Sequence, residues 1–199
     1  GNIAHEMTLA EIHEVIDAHA EGAKRAAAGG MDGVEILGAF GFLPQAFLSP
    51  LTNHRTDKYG GALKNRLRFL MELLEAVRGA LARDHVLGVR LPGDEFEPGA
   101  LDLEQMKTIC KQIADTGLID YLNIIAHTNI THLGRSLHWA PTPTRHGIFV
   151  HLAGAIREVV NLPVFTVGRI VDPAHAEHII AHGQADMVGM TRAHICDPQ

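Results

Sequence analysis

The sequence has few aromatic residues and little positive charge, and both shortages limit what the protein can bind. Phenylalanine, tyrosine and tryptophan make up 5% of its 199 residues, and the formal net charge is -6 with the histidines neutral. A surface for nucleic acid needs clustered positive charge, and single-stranded binding adds aromatic side chains on which bases stack. We therefore expect no nucleic-acid partner, although this composition allows a basic pocket for one small anion.

Cysteine and long apolar runs are also scarce. The two cysteines, Cys110 and Cys196, are far apart, so they provide neither a disulfide framework nor the ligand spacing of a structural metal site. No apolar run approaches the ~18 residues that span a bilayer, and no signal peptide is visible. We expect a cytoplasmic protein with no membrane segment and no bound metal.

Histidine, by contrast, is abundant, with 14 in the chain. His178 and His182 are one helical turn apart, a spacing that can chelate zinc on a helix. No glutamate follows His178 in the order that zinc proteases use. We interpret this pair as part of a solvated helix face.

Helices alternate with short apolar strands along the chain. A capping box of Thr8 and Glu11 starts the first helix, Gly29-Gly30 ends it, and Asp102 caps a later helix. The predicted helices cover about 9–28, 63–81, 103–116, 148–160 and 173–182, and the predicted strands are 33–37, 86–90, 121–125, 163–167 and 186–190. Segments 38–61 and 126–147 are predicted to be long loops.

Apolar strands that alternate with helices are typical of a parallel sheet covered on both faces. The pattern fits a doubly wound sheet or a (β/α)8 barrel, and in both folds functional residues lie at the C-terminal ends of the strands. Five strands cannot close a barrel of eight. We therefore predict a single α/β domain over residues 1–199 that is either an open sheet or part of a longer barrel.

Glycine and arginine occur together after the last two predicted strands. Gly168-Arg169 follows one strand and the run from Gly189 to Arg192 follows the next. Glycine lets a ligand approach the backbone, N–H groups cradle phosphate, and arginine clamps anions. If these strands end a barrel, the predicted phosphate-binding residues are Gly168, Arg169, Gly189, Met190 and Arg192. Turn glycines and surface arginines are the alternative.

Arg90 ends an otherwise apolar strand. A cation at that position must meet an anion or a polar ligand, because its unpaired burial is costly. It can hold a substrate carboxylate or stabilise negative charge on a reduced cofactor. A salt bridge with Asp94 or Glu95 is the alternative.

Residues 49–69 contain the most specific motif of the chain. They read SPLTNHRTDKYGGALKNRLRF, a long loop that turns at Gly60-Gly61, leads into a helix and can be braced by an Arg55–Asp57 pair. This run resembles the loop after strand 4 in the old yellow enzyme family, especially its branch of trimethylamine dehydrogenases, 2,4-dienoyl-CoA reductases and N-methyl amino acid demethylases. Ala62 replaces a serine of the family pattern.

The resemblance extends in order along the chain. It implies a TIM (β/α)8 barrel of which this chain supplies about strands 4–8, with FMN as cofactor, Arg90 near the flavin ring and the last two strands on the phosphate. The family's first three strands precede residue 1, and the iron–sulfur cluster of the closer branch follows Gln199. We expect the chain to need those strands, or a partner chain, to fold and to bind FMN tightly.

Three positions after strand 4 depart from the family. Ene-reducing members carry His, His or Asn, and Tyr where this chain carries Leu37, Phe40 and Phe42. None of these side chains donates a proton or polarises a carbonyl, so the usual alkene reduction does not carry over. An apolar substrate pocket of these three residues suits hydride removal from an N-methyl carbon, with the phenylalanines contacting an alkylammonium by cation–π attraction.

His127 follows the third predicted strand, about where the amine-oxidising branch has an acidic residue. With a pKa near working pH it can act as a base, and we predict it as the catalytic residue. His132, His138 and Trp139 lie further along the same loop. For each of these side chains, a position facing water is the alternative.

The sequence thus favours an FMN-dependent oxidoreductase that moves a hydride through flavin N5 from a small amine or a nicotinamide. The alternatives are an NAD(P)H-dependent enoate or dienoyl reductase, a degenerate barrel that binds without catalysis, and an aldolase-type phosphate-binding barrel. The absence of a strand-end lysine counts against the last of these. The expected partners are a small-molecule substrate and the missing barrel half, and a homo-oligomer is compatible with the sequence.

Overall fold

The computed structural model describes residues 5–198, and its main elements follow the predicted alternation. The helices are α1 (Leu9–Ala28), α2 (Leu43–Leu48), α3 (Leu63–Ala80), α4 (Leu103–Ala114), α5 (His132–Leu137), α6 (Val150–Arg157), α7 (Pro173–Ala181) and α8 (Thr191–Cys196). The strands are β1 (Gly33–Leu37), β2 (Val86–Pro92), β3 (Tyr121–Ile125), β4 (Val164–Thr166) and β5 (Met187–Val188). Both predicted capping boxes begin their helices, with Thr8 bonded to Glu11 and Asp102 to Gln105.

The sequence did not predict three short helices. α2 and α5 lie inside the two predicted long loops, and α8 follows the last strand. Each is six residues long, too short to show a helical repeat of apolar residues. The last two strands are shorter than predicted, because only two or three residues of each pair with a neighbour.

The sheet is parallel throughout, and its spatial order β1-β2-β3-β4-β5 is the order of the chain. A doubly wound sheet reverses its strand order at a switch point, whereas consecutive units of a barrel do not. The unbroken order therefore rules out the doubly wound alternative within residues 5–198. It also brings the C-terminal ends of all five strands to one rim.

The two faces of the sheet differ in chemistry. Leu87, Val89 and Leu91 of β2 are fully buried in the apolar core on the helix-covered face. Arg90 alternates with them and points to the opposite face, because neighbouring side chains of a strand point opposite ways. In the register, Arg90 lies beside Leu37 of β1 and Asn123 of β3. That face corresponds to the inside of a barrel.

The motif at residues 49–69 braces the fold. The predicted Arg55–Asp57 pair is present, with a guanidinium nitrogen 2.6 Å from the carboxylate. The buried amide of Asn53 donates to the carbonyl oxygens of Phe47 at 2.5 Å and Tyr59 at 2.7 Å. The Phe47 ring then stacks on the ring of Phe69 in α3, with 4.3 Å between centroids. The most specific motif of the sequence is therefore structural.

Candidate functional site

A cleft of about 310 Å³ lies at the C-terminal rim of the sheet, where the predicted cofactor residues meet. It is lined by Phe40, Arg90, Ile125, His138, Trp139, Ala140, Val167, Gly168, Arg169, Ile170, Val171, Gly189, Met190, Thr191 and Arg192. All six predicted cofactor-binding residues are in this lining. The fold therefore brings Arg90 to the same cleft as Arg192, which is 102 positions later in the sequence.

Arg169 and Arg192 hold the loop that follows β3. The guanidinium of Arg169 donates to the Thr144 carbonyl, and Arg192 Nη2 donates to the Ala140 carbonyl at 3.1 Å. A neutral carbonyl dipole compensates a full positive charge less well than an anion does. The two guanidinium groups thus make this end of the cleft suitable for a phosphate or carboxylate.

The two cleft glycines are explained by packing rather than by an anion. Gly168 has a φ of 118°, and a methyl group on it would lie 2.5 Å from the Phe149 ring. A methyl group on Gly189 would lie 2.7 Å from Val167 Cγ1, and the Gly189 N–H already donates to the Thr166 carbonyl at 2.9 Å. The arginines, rather than these glycines, therefore carry the capacity for anion binding.

Two residues without the freedom of glycine have a left-handed backbone at the cleft. Phe40 has a φ of 57° and Arg169 a φ of 54°. Non-glycine residues rarely adopt this conformation, which is concentrated at binding and active sites. Their strain adds an independent reason to treat the cleft as functional.

Arg90 has a partner that the sequence did not predict. Its Nε lies 2.9 Å from Glu35 Oε1, although the angle between them is unsuitable for a hydrogen bond. The predicted alternatives Asp94 and Glu95 were wrong, since Glu95 is buried and accepts from Gln45 and Ser49 at 2.7 and 2.6 Å. Glu35 and Arg90 are both charged residues within apolar strands, and this could have indicated that they pair. Predicting the pair also requires the register between the two strands.

Glu35 also orders two residues of β3. Its Oε2 accepts from the Tyr121 hydroxyl at 3.1 Å and from Asn123 Nδ2 at 2.8 Å. The Tyr121 ring stacks on Phe165, with centroids 4.4 Å apart, and occupies the space where a side chain on Gly88 would lie. One carboxylate thus fixes a polar layer across β1, β2 and β3.

Replacing Glu35 with glutamine should make Tyr121 easier to ionise. Burial and the Glu35 carboxylate raise the pKa of Tyr121 to about 12, and removal of the charge should bring it back toward the ordinary value of about 10. Tyrosinate absorbance against pH measures this in the range where the protein is folded. Tyr59, whose pKa burial and Glu72 raise to about 12, is the internal control. The difference between Glu35→Gln and Glu35→Gln/Tyr121→Phe isolates the titration of Tyr121. If Tyr121 ionises at the same pH in Glu35→Gln as in the wild type, the contact between Glu35 and Tyr121 is contradicted.

Among the described residues that line the cleft, His127 is absent. It is buried, has a φ of 73° and contacts the rings of Phe96 and Phe149, with centroids 4.9 and 5.7 Å away. The backbone N–H of His127 donates to the Asp94 carbonyl at 2.8 Å. Burial lowers the pKa of His127. The neutral ring is therefore held in a packed position, and its catalytic role stays a prediction.

His138 and Trp139 have opposite environments. The alternative that these side chains face water applies to one of the two, because Trp139 is 63% exposed whereas His138 is 3% exposed. The Trp139 ring stacks on Phe40 at 5.7 Å, and the His138 ring meets Phe40 edge-on at 4.8 Å. Burial of His138 in the cleft wall is a feature that sequence reasoning missed.

The three predicted substrate-pocket residues separate in the structure. Phe40 lines the cleft. Leu37 pairs with Arg90 in the sheet register and packs against the apolar core. Phe42 precedes α2 and is 55% exposed. The structure thus brings one of the three to the cleft.

Other predicted features lie outside the cleft. The rings of His178 and His182 contact each other with centroids 3.8 Å apart, and both residues are exposed. Over residues 5–198, no group of three or more side chains is arranged to hold a metal ion. Within the same range, no helix combines the length and apolar character needed to cross a membrane.

Comparison with known proteins identifies the family. The model of the NADH:flavin oxidoreductase / NADH oxidase family matches residues 1–199, and the chain belongs to that family. It is 39% identical over 193 residues to an N,N-dimethylglycine/sarcosine dehydrogenase of Chromohalobacter salexigens, covering 94% of this chain and 27% of that protein. It is 44% identical over 188 residues to a probable N-methylproline demethylase of Rhizobium meliloti, covering 94% and 28%.

Two solved structures agree with this assignment. The fold superposes on a 2-naphthoyl-CoA reductase complex with a TM-score of 0.90 and 33% identity, covering 98% of this chain and 29% of that one. An old yellow enzyme homologue from Zymomonas mobilis superposes with a TM-score of 0.73 and 28% identity, covering 95% and 50%. The five-stranded sheet is therefore part of a (β/α)8 barrel. The chain spans between about a quarter and a half of the length of these relatives.

Proposed function

We propose that this chain supplies the phosphate-binding part of an FMN-dependent oxidoreductase. The observation that carries the proposal is the convergence of Arg90, Arg169 and Arg192 on one cleft at the C-terminal rim. Phosphate sites of (β/α)8 barrels are commonly built by the loops after strands 7 and 8. Those are the positions of β4 and β5 if β1 is barrel strand 4.

The arginines fit the two ends of FMN. We assign the phosphate to Arg169 and Arg192, which are bound to backbone carbonyls that an anion can replace. Arg90 faces the inside of the barrel and is held beside Glu35, so its charge can stabilise a reduced flavin ring. When bound, FMN supplies hydride transfer at N5. The chain's own residues bind it, orient it and set the local charge.

A closed (β/α)8 barrel needs strands beyond the five that residues 5–198 form. β1 and β5 are the two outer strands of the sheet, and exposed strand edges carry main-chain groups without partners. Met187 of β5 is 52% exposed on the inner face. We propose that residues 1–199 form one partial domain, which further sequence or another chain completes. The full-length protein is the barrel with these additional strands. Its cytoplasmic location and its oligomeric state stay predictions.

The favoured substrate is a small N-methylated amine. The relatives named above include a dimethylglycine/sarcosine dehydrogenase and a probable N-methylproline demethylase. Leu37, Phe40 and Phe42 offer no proton donor, and the stacked rings of Phe40 and Trp139 give the cleft an aromatic wall. Such a wall attracts an alkylammonium through its π-electrons. These features suit amine oxidation better than alkene reduction.

An NAD(P)H-dependent reductase is the second candidate, because the superposed 2-naphthoyl-CoA reductase shares the fold. Anaerobic mixing of the full-length protein with NADH, NADPH, dimethylglycine, N-methylproline and trimethylamine separates the candidates. We expect an N-methylated amine to bleach the flavin absorbance. If only NADH or NADPH bleaches the flavin absorbance, the protein is the reductase. If the protein binds no flavin, a non-catalytic barrel is favoured.

A further inference from the structure

The wall of the cleft contains His138, whose ring carries a nitrogen without a hydrogen-bond partner among the described residues. The ring is 3% exposed and lines the cleft beside Phe40 and Trp139. Within residues 5–198, its Nε2 is buried and has no hydrogen-bond partner. A buried nitrogen without a partner destabilises a protein, and nearly all such groups are satisfied in native proteins. A ligand group is therefore expected at this nitrogen.

Burial and the neighbouring charges favour the neutral form of the His138 ring. Burial lowers the pKa of His138, and repulsion from Arg135, or from a proton on the His127 ring, acts in the same direction, while the His127 carbonyl opposes them. Three further cations from other elements line the same cleft, namely Arg90 of β2, Arg169 after β4 and Arg192 of α8. A neutral imidazole near pH 7 can accept a proton.

We propose that His138 accepts the N–H proton of an N-methylated ammonium bound in this cleft, an inference that rests on the proposed function. The N–H bond of the ammonium breaks, a new N–H bond forms at Nε2, and the electron pair stays on the amine nitrogen. A hydride from the N-methyl carbon would then pass to bound FMN, which would leave the amine oxidised as an iminium cation and the flavin reduced as its anion. The positive charge of the ammonium moves to the imidazole and later leaves as a proton to water.

The aromatic wall explains how a cation enters a cleft that already holds positive charge. Phe40 and Trp139 stack at 5.7 Å with 17° between their planes, and Trp139 is largely exposed. An ammonium over these rings is stabilised by their π-electrons before it loses its proton. Ala140, next to Trp139, accepts from Arg192 at 3.1 Å. The aromatic wall and the phosphate end are therefore tied together through one short loop.

His138→Gln in the full-length protein tests the inference. Glutamine keeps a polar amide but cannot take the proton, so anaerobic flavin reduction by dimethylglycine should slow by about 10²- to 10⁴-fold at neutral pH. In the wild type, the rate should rise with pH through the lowered pKa of His138, because only the neutral ring accepts a proton. In the variant, that rise should disappear. His132→Gln, on the exposed face of the same loop, is the matched control and should keep the wild-type rate and profile.

Two further measurements separate the explanations. Histidine NMR should show the His138 ring signals shift when dimethylglycine binds, whereas FMN affinity should be equal in wild type and His138→Gln. His127→Gln should reduce the rate less than His138→Gln does. An unchanged rate and pH profile in His138→Gln would overturn the inference while leaving the proposed function intact. If no amine reduces the wild-type flavin, the proposed function fails and this inference fails with it.

Discussion

Replacing both Arg169 and Arg192 with alanine should weaken FMN binding by about 10²- to 10⁴-fold. A hydrogen bond to a charged group contributes about 1.5–3 kcal/mol, and each 1.4 kcal/mol is a factor of about ten in Kd. Both guanidinium groups line the cleft, and within residues 5–198 their hydrogen bonds go to the loop carbonyls of Thr144 and Ala140. Quenching of flavin fluorescence in the full-length protein measures the change.

Riboflavin, which lacks the phosphate, gives this prediction its control. If the arginines bind the phosphate, the double substitution removes the preference for FMN and leaves riboflavin affinity nearly unchanged. If the substitutions only loosen the loop between β3 and α6, the affinities for FMN and for riboflavin should fall together. That result would show that the phosphate assignment is wrong. Arg83→Ala is the matched charge control, because Arg83 is exposed before β2, at the opposite end of the sheet.

Replacing Phe69 with alanine should lower the free energy of unfolding by about 3–5 kcal/mol, the usual range for a buried phenylalanine. Phe69 is fully buried in α3, and its ring stacks on Phe47, which adjoins the braced motif. The substitution should therefore leave a cavity between α3 and the motif. The urea midpoint of the full-length protein measures the loss.

The control for Phe69 is an equal truncation at a position where the ring faces water. Phe42 is 55% exposed, so Phe42→Ala should change the midpoint little. A similar loss in both variants would show that the motif does not pack as described. Unchanged FMN affinity in a folded Phe69→Ala protein would support a structural role for the motif, distinct from that of the cleft.

The sequence predicted the main elements well, because local rules determine them. The repeats of apolar residues in α1 and α3 are long, and the caps at Thr8 and Asp102 are built from residues three apart. The five apolar strands were recognisable for the same reason. The ends of β4 and β5 could not be predicted from the sequence, because pairing with neighbouring strands determines where a short strand ends.

The site was only partly predictable. The glycine–arginine runs marked the cleft, since they directly follow strands and all parallel strands end at one rim. The Glu35–Arg90 contact joins two strands through their register, and no sequence spacing gives that register. Burial of His138 depends on how the loop after β3 folds back over the cleft, where Arg192 holds Ala140. Long-range contacts of this kind have no local signal.

The flavin content of the purified full-length protein is the most direct test of the central claim, that the cleft holds the phosphate end of FMN. We predict a yellow protein with about one FMN per chain, and a colourless product from the Arg169→Ala/Arg192→Ala variant at the same protein concentration. Retention of full flavin absorbance by the folded double variant, or a folded wild type that binds no FMN when it is supplied, would contradict the account.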